Sequence, residues 1–428
     1  LPNAVEDIGG DQYYAWAMTV FLLASVISSM LVGMALRNRG PRQSYLMAFA
    51  IFAVGSLACA ASPTMAVMLV GRAVQGIGGG LLTGLAFGVL RTALPARLWP
   101  RAVALISAMW GVGNIAGPVL GGLFAQLDAW RGAFIMLAIF VVVLCVISQR
   151  ALPRHRPEQG GERAGVPVVG LVVLTAATAA ISVASIVTST PLIVVLAVVA
   201  AAAIGLFVIA EKRTRTTVLP RFTYSLSSPL PWVYLGIVAL AIGSTTETFV
   251  PLFGQHLGGM EPLVAGLLGA ALSWGWSAGS IISTYATAVR AVSAIKITGP
   301  IVLAAGLLGY GALQTDAPSA WVIAGWFVTL TIAGAGIGMA FAHFITAAMS
   351  STDDEADAAK ASAGVNTVQL ISNTFGSALA GLFVAIGGPS LVGGAQLLTI
   401  GFAVIAALGV LAAVASVRQG GRSRDSSG

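Results

Sequence analysis

Thirteen stretches of this chain are long and apolar enough to cross a bilayer, and little else fits between them. A membrane-spanning helix needs about 20 mostly apolar residues. Such stretches run over 13–36, 44–61, 65–90, 102–125, 130–148, 166–187, 191–210, 231–253, 263–284, 298–313, 319–347, 363–386 and 396–417. In a bilayer every backbone polar group must be satisfied internally, so runs of this length are helices. The composition agrees. Only 9% of the 428 residues are charged and 57% are hydrophobic, with a mean hydropathy of +0.92. Soluble domains carry about 25% charged residues. A soluble enzyme, a nucleic-acid-binding domain and a disordered chain are all excluded on this ground. The expected fold class is an all-α polytopic membrane protein.

Charge sorts the connections into two sets. One set holds Arg37/Arg39/Arg42, Arg91/Arg97/Arg101, Arg150/Arg154/Arg156/Arg163, Lys212/Arg213/Arg215/Arg221, Arg290/Lys296, Lys360 and Arg418/Arg422/Arg424. That is 3+3+4+4+2+1+3 = 20 of the 22 Lys and Arg residues. Apart from Arg131 at a helix start, the other set holds Glu6, Asp7, Asp11, Asp128, Glu261 and Asp316. Short basic loops stay in the cytoplasm, so the C-terminus is expected there. The net charge of +7 follows from this sorting and does not imply a nucleic-acid partner. Cys59 and Cys145 lie inside apolar runs and read as small core residues.

The chain contains a repeat. Gly117-Pro118-Val119-Leu120-Gly121-Gly122-Leu123-Phe124 resembles Gly376 to Phe383 at an offset of 376 − 117 = 259, and Asn114 meets Asn373 at the same offset. Gly76 to Gly80 resembles Gly334 to Gly338 at an offset of 258, and Pro2 to Gly10 resembles Pro251 to Gly259 at 249. The offset is long because two extra helices, 166–187 and 191–210, separate the halves. Pro251 is expected to end the helix 231–253, which implies a helix preceding Pro2 in the intact protein and fourteen in all. The resulting organisation is an N-terminal bundle over 1–148, a basic linker over 149–165, two extra helices over 166–211, a second basic linker over 212–230, a six-helix bundle over 231–417 and a tail over 418–428.

These residues resemble the Major Facilitator Superfamily, in its fourteen-helix drug:proton antiporter branch. Leu1-Pro2 with Ile8-Gly9 resembles the end of the first-helix motif. Arg72-Ala73-Val74-Gln75-Gly76-Ile77-Gly78 resembles the fourth-helix motif. Gly113, Gly117, Pro118, Gly121 and Gly122 resemble the fifth-helix antiporter motif, and Trp130-Arg131 resembles the entry of the sixth helix. The resemblance implies two six-helix bundles plus two central helices, alternating access, and export of amphipathic organic compounds against inward proton flow. The implied setting is the inner membrane of a bacterium, as a monomer without cofactor. One loop departs from the family. The gating loop after the second helix reads Gly33-Met34-Ala35-Leu36-Arg37-Asn38-Arg39-Gly40-Pro41-Arg42, with Arg37 where the family has an acid.

Several residues have a physical claim on function. Glu247, in Ser244-Thr245-Thr246-Glu247-Thr248, reads as the only acid inside any helix. An intramembrane acid faces the protein interior or a wet cavity, where it can carry a proton; the competing reading is a structural acid held by its threonines. Arg72 reads as the only cation within a helix interior. The resemblance assigns it to proton coupling; the bland reading is a packing residue satisfied by carbonyls. Gln75, Gly76, Asn114 and Asn373 are expected to line a substrate cavity. Trp110, Trp274 and Trp276 could stack on an organic substrate, although mid-helix indoles are more often core or lipid-facing. Trp326 is a further mid-helix indole, and His343 reads as structural more often than titrating. No metal-ligand spacing and no phosphate-binding loop occurs, so the energy source would be an ion gradient. An alternative is a degenerate facilitator-fold protein acting as a sensor or assembly partner, motivated by Arg37. A channel is disfavoured, because rings of charge and a filter-like repeat are lacking.

Overall fold

The computed structural model describes residues 2–88, 99–152, 168–187, 189–213, 219, 221–225, 228–286, 288–349, 351 and 355–425. Among the described residues every regular element is helical. The helices are α1 (Pro2–Ile8), α2 (Tyr14–Ser29), α3 (Val32–Ala60), α4 (Met65–Gly88), α5 (Trp99–Gln126), α6 (Trp130–Ala151), α7 (Val168–Ala184) and α8 (Thr190–Arg213). They continue as α9 (Leu230–Ser244), α10 (Val250–His256), α11 (Pro262–Ser283), α12 (Val289–Ala312), α13 (Ala320–Met349), α14 (Glu355–Ile386) and α15 (Leu391–Asp425). All thirteen expected spans fall on helical segments, two of them divided, and ten helices are long and apolar enough to cross a membrane among the described residues. The chain divides into two compact units, 1–168 and 169–428. The two extra helices, α7 and α8, group with the second.

Local rules explain where the helices break. Gly40 takes φ 72° and ψ 170° inside α3, a backbone region open essentially to glycine alone, and Pro41 follows it. The segment expected as a gating loop over 33–42 is therefore helical on both sides of a single hinge residue. The stretch expected as one helix over 13–36 is also divided, ending at Ser29 and restarting at Val32.

The expected helix 231–253 is divided too. A tight 3-10 turn over Thr245–Thr248 separates α9 from α10. Pro251 sits in the first turn of α10 and does not end the helix, contrary to the sequence expectation. Its missing N–H deprives the Glu247 carbonyl of a helical donor, and its ring crowds that carbonyl. Both seven-residue helices, α1 and α10, run into a glycine turn, with Gly9 and Gly10 at φ 72° and 92° and Gly259 at φ 58°.

The repeat extends to the packing. In the first unit α4 packs on α2 and α3, and α3 packs on α6. In the second, α13 packs on α11 and α12, and α12 packs on α15. Glycines set the register. A Cβ on Gly76 or Gly80 would strike the carbonyl of Phe21 or Ser25, and one on Gly334 or Gly338 would strike that of Leu272 or Trp276. Likewise Gly78 lies against the backbone of Phe52, and Gly336 against that of Leu303. The counterparts are 258 apart on α4 and α13, and 251 apart on α2/α3 and α11/α12. Small residues at fixed spacing let membrane helices approach this closely.

The extra helices attach through α7. Leu174, Ala177, Ile181 and Ala184 form one buried cluster with Phe375, Ala378 and Leu382 of α14. By contrast, only 11% of the α8 span is covered by protein.

Candidate functional site

Two polar assemblies lie inside the helices, one in each unit. In the first, Arg72 projects from α4. Its Nε donates to the Ala17 carbonyl at 3.0 Å, and its Nη1 donates to Gln75 Oε1. Its Nη2 reaches Met18 Sδ at 3.8 Å, and the guanidinium lies 4.2 Å from the centre of the Phe21 ring. Gln75 Nε2 in turn donates to Ser56 Oγ at 2.9 Å on α3. The always-charged guanidinium is thus satisfied by a carbonyl, an amide and a ring face, and it ties α4 to α2. Gln75 is 1% exposed and Gly76 abuts Phe21. Both sit at contacts with neighbouring helices of the first unit.

In the second unit the 3-10 turn presents Glu247, half-buried. Ser273 Oγ on α11 donates to Glu247 Oε2 at 3.5 Å. Thr245 and Thr246 donate to the backbone and not to the acid, contrary to one sequence reading. Ser244, Thr245 and Thr246 donate to the carbonyls of Ala241, Ile242 and Gly243 at 2.7, 2.7 and 2.9 Å. Three successive hydroxyls therefore serve the backbone at the break. The chain can leave α-helical geometry inside the membrane because those carbonyls keep donors.

The other expected site residues scatter. Trp276 meets Phe341 of α13 in a tilted ring contact at 5.3 Å, and Trp274 is 37% exposed. Asn373 is half-buried on α14, and its Oδ1 is a buried acceptor with no hydrogen-bond partner among the described residues. The side chains of Trp110 and Asn114 lie outside the described residues. Gly113, Gly117 and Gly121 form a stripe on α5 where a Cβ would meet nothing within 4 Å among the described residues, while Gly122 is buried and Pro118 lies within the helix. Trp326 is core: fully buried, it donates Nε1 to the Leu313 carbonyl at 3.1 Å. His343 Nε2 meets the Ser283 carbonyl at 3.2 Å, a structural contact between α13 and α11.

Around the hinge at Gly40, the side chains of Gly33 and Arg37 are not described, and Arg39 is exposed. Arg42 and Gln149 bond reciprocally. Arg42 Nε donates to Gln149 Oε1 at 2.9 Å, and Gln149 Nε2 donates to the Arg42 carbonyl at 2.8 Å. This pair fixes the end of α6 to α3.

Three residues were missed or misplaced by sequence reasoning. Lys296 lies within α12 and is 9% exposed, so Arg72 is not the sole helical cation. Glu211 lies within the last turn of α8 and is 2% exposed, so Glu247 is not the sole helical acid. Its Oε2 accepts from Tyr224 Oη at 2.9 Å and from the Leu219 N–H at 3.1 Å. One acid amid a basic linker was the available signal. The third is Asp7, at the end of α1. It accepts from Arg131 Nη1 and from Trp130 Nε1 at 3.1 Å, while Arg131 Nη2 reaches the Ser62 carbonyl at 3.3 Å. These bonds hold the Asp7 carboxyl below its usual range.

Comparison with known proteins now fixes the class. The sequence profile of the Major Facilitator Superfamily matches residues 1–369. A protein of Mycobacterium tuberculosis named probable multidrug-efflux transporter is 41% identical over 418 residues, covering 96% of this chain and 88% of the relative. An uncharacterized transporter of the same superfamily and organism is 26% identical over 404 residues, covering 90% of this chain and 56% of that protein. Among solved structures, the nucleoside transporter NupG superposes with a TM-score of 0.67 at 11% identity, over 97% of this chain and 93% of NupG. With its repeated helical packing, its membrane-spanning helices and these likenesses, the chain is a multi-pass membrane transporter of the Major Facilitator Superfamily.

Proposed function

We propose that this transporter exports amphipathic organic compounds, driven by protons moving inward through Glu247. The observation that carries the reading is the Glu247 carboxyl, set on a broken helix beside Ser273. An ionisable residue at membrane depth is costly to keep and is retained for ion or substrate movement. A broken helix is also where transporters place such groups. The 41% identical efflux relative supports export and a broad organic substrate class.

In this reading Glu247 takes up a proton from the outer side and releases it inside as substrate leaves. Arg72, bonded to α2 and to Gln75 in the first unit, is assigned to the proton-coupling machinery with Glu247. The basic connections are cytoplasmic, and so is the C-terminus. The protein works as a monomer in the bacterial inner membrane.

The test is dye efflux in inverted vesicles with an imposed proton gradient, with ethidium as the probe. Glu247→Gln is expected to abolish proton-driven ethidium movement while leaving ethidium binding within about 3-fold of the parent, because the substitution removes a charge and little volume. Proton-driven efflux unchanged in Glu247→Gln would overturn the coupling assignment. Absence of ethidium transport in the parent, across a panel of amphipathic dyes, would overturn the export reading instead.

A further inference from the structure

The end of α8 carries three features that the transport reading does not use. First, a cavity of ≈ 320 Å³ lies there, lined by Glu211, Lys212, Tyr224 and Ser225. Second, it is cationic: Lys212 lines it and Arg213 follows in the last turn of α8. Third, the helix above is bare. Val198, Leu206 and Ile209 are 61%, 54% and 49% exposed.

The acid in the cavity wall is not available to repel an anion freely. Glu211 is 2% exposed and accepts from both Tyr224 Oη and the Leu219 N–H. Its structural effect is to staple the returning chain against α8, which brings Tyr224 and Ser225 opposite Lys212. Residues three and four apart share a helix face. Leu206, Ile209, Lys212 and Arg213 therefore form one track, apolar first and cationic last. From Val198 to Ile209 that track is about 16 Å long at the rise of an α-helix, close to the roughly 15 Å depth of one leaflet.

From this arrangement we infer that the basic end of α8 is a binding site for an anionic phospholipid. The lipid phosphate sits in the cavity against Lys212 and Ser225, and an acyl chain runs along Leu206 and Ile209. Basic residues at a helix end are also favoured by the helix dipole and by membrane orientation. Neither requirement calls for a cavity, nor for a buried acid that closes one. Clustered cations at a membrane edge attract anionic lipid by about 1 kcal/mol each, which is about a 5-fold gain in binding per cation.

Native mass spectrometry of the intact, purified protein tests the site, counting retained lipid after incubation with phosphatidylglycerol or phosphatidylcholine. The wild-type protein is expected to retain phosphatidylglycerol preferentially. Lys212→Gln with Arg213→Gln is expected to weaken that retention by roughly 25-fold, the square of the single-cation factor. Both positions are exposed, so the variant is expected to fold; the wild-type comparison of the two lipids stands by itself if it does not. Equal retention of the two lipids by the wild type would reduce the feature to ordinary lipid contact and overturn the proposal. So would unchanged phosphatidylglycerol retention in the variant. Displacement of the lipid by inorganic phosphate at equal concentration would mark a free-anion site and overturn the lipid assignment.

Discussion

The two units share a backbone plan and differ in what is set into it. Gly76, Gly78 and Gly80 in α4 correspond to Gly334, Gly336 and Gly338 in α13, and each pair meets the equivalent backbone on the facing helices. The polar residues around those glycines do not correspond. Arg72, Gln75 and Ser56 form a bonded set in the first unit. Their counterparts at the same offsets are Leu330, Ala333 and Leu307, all fully buried and apolar. The reverse holds for Ser273, which touches Glu247 in the second unit; its counterpart in the first is the buried Leu22. The glycine contacts are what two helices need to pack in lipid. The polar insets are not needed for packing, since the other half packs without them. This is the strongest structural reason to read Arg72 and Glu247 as parts of a working mechanism.

That contrast can be broken from its shared side first. Gly80→Val and Gly338→Val each place side-chain atoms on a facing carbonyl. Overpacking of this kind costs roughly 1–3 kcal/mol or more. Both variants are expected to lose folded yield and thermal stability to a similar degree, as measured by fluorescence-detected size exclusion after heating. A large loss at one position and none at the other would mean that the two lattices are not equivalent.

The insets offer a sharper experiment with a smaller effect on stability. Copying the second half's residues into the first, as Arg72→Leu, Gln75→Ala and Ser56→Leu together, removes every member of the set at once. The triple variant is expected to remain folded, with a thermal midpoint within about 5 °C of the parent, and to lose proton-driven dye efflux. Arg72→Ala alone is expected to be less stable than the triple variant. It strips Gln75 Oε1 of its donor while leaving Gln75 buried, at a cost of roughly 1–3 kcal/mol. Full efflux in the triple variant would make the set a scaffold only.

The smallest expected effect concerns Asp7. The pair Asp7–Arg131 is about half exposed, at 49% and 43% of side-chain area, and exposed ion pairs contribute little. Because bonding to Arg131 and Trp130 lowers the carboxyl's pKa in the folded state, its contribution is present above the ordinary carboxylate range. It fades as pH falls through the lowered value. Thermal unfolding of Asp7→Asn and of the parent is therefore expected to differ slightly at neutral pH and to converge in strong acid. Divergence on acidification would reverse the sign and refute the assignment. The second half has His256 at this register.

The all-helical membrane fold, the repeat and the motif glycines were legible because lipid imposes them locally. Twenty apolar residues make a span wherever they occur, and a glycine four residues from another marks a close crossing. The helix breaks were less legible. Gly40 stands in a polar segment that reads as a loop, yet helix continues on either side of it. The turn at Thr245–Thr248 reads as helix because its residues are as apolar and hydroxylated as their neighbours; only Pro251, six residues beyond Thr245, marks it. Site geometry was the least legible. Periodicity does not say that Gln75 faces Ser56 on a neighbouring helix, nor that Glu211 turns inward to meet a tyrosine thirteen residues later. Such pairings depend on tertiary register, which a single sequence signals only where spaced glycines mark a close crossing.

The three hydroxyls at Ser244, Thr245 and Thr246 carry one more consequence. A helix interrupted inside a membrane ordinarily leaves bare carbonyls that recruit water, and a file of water beside an ionisable group is a wire for protons. Here each carbonyl from Ala241 to Gly243 has a hydroxyl hydrogen from its own chain. The three carbonyls that lead into the interruption are closed off by side chains of their own helix. In the proposed cycle the Glu247 carboxyl, at the end of that stretch, exchanges its proton beside carbonyls that are already satisfied.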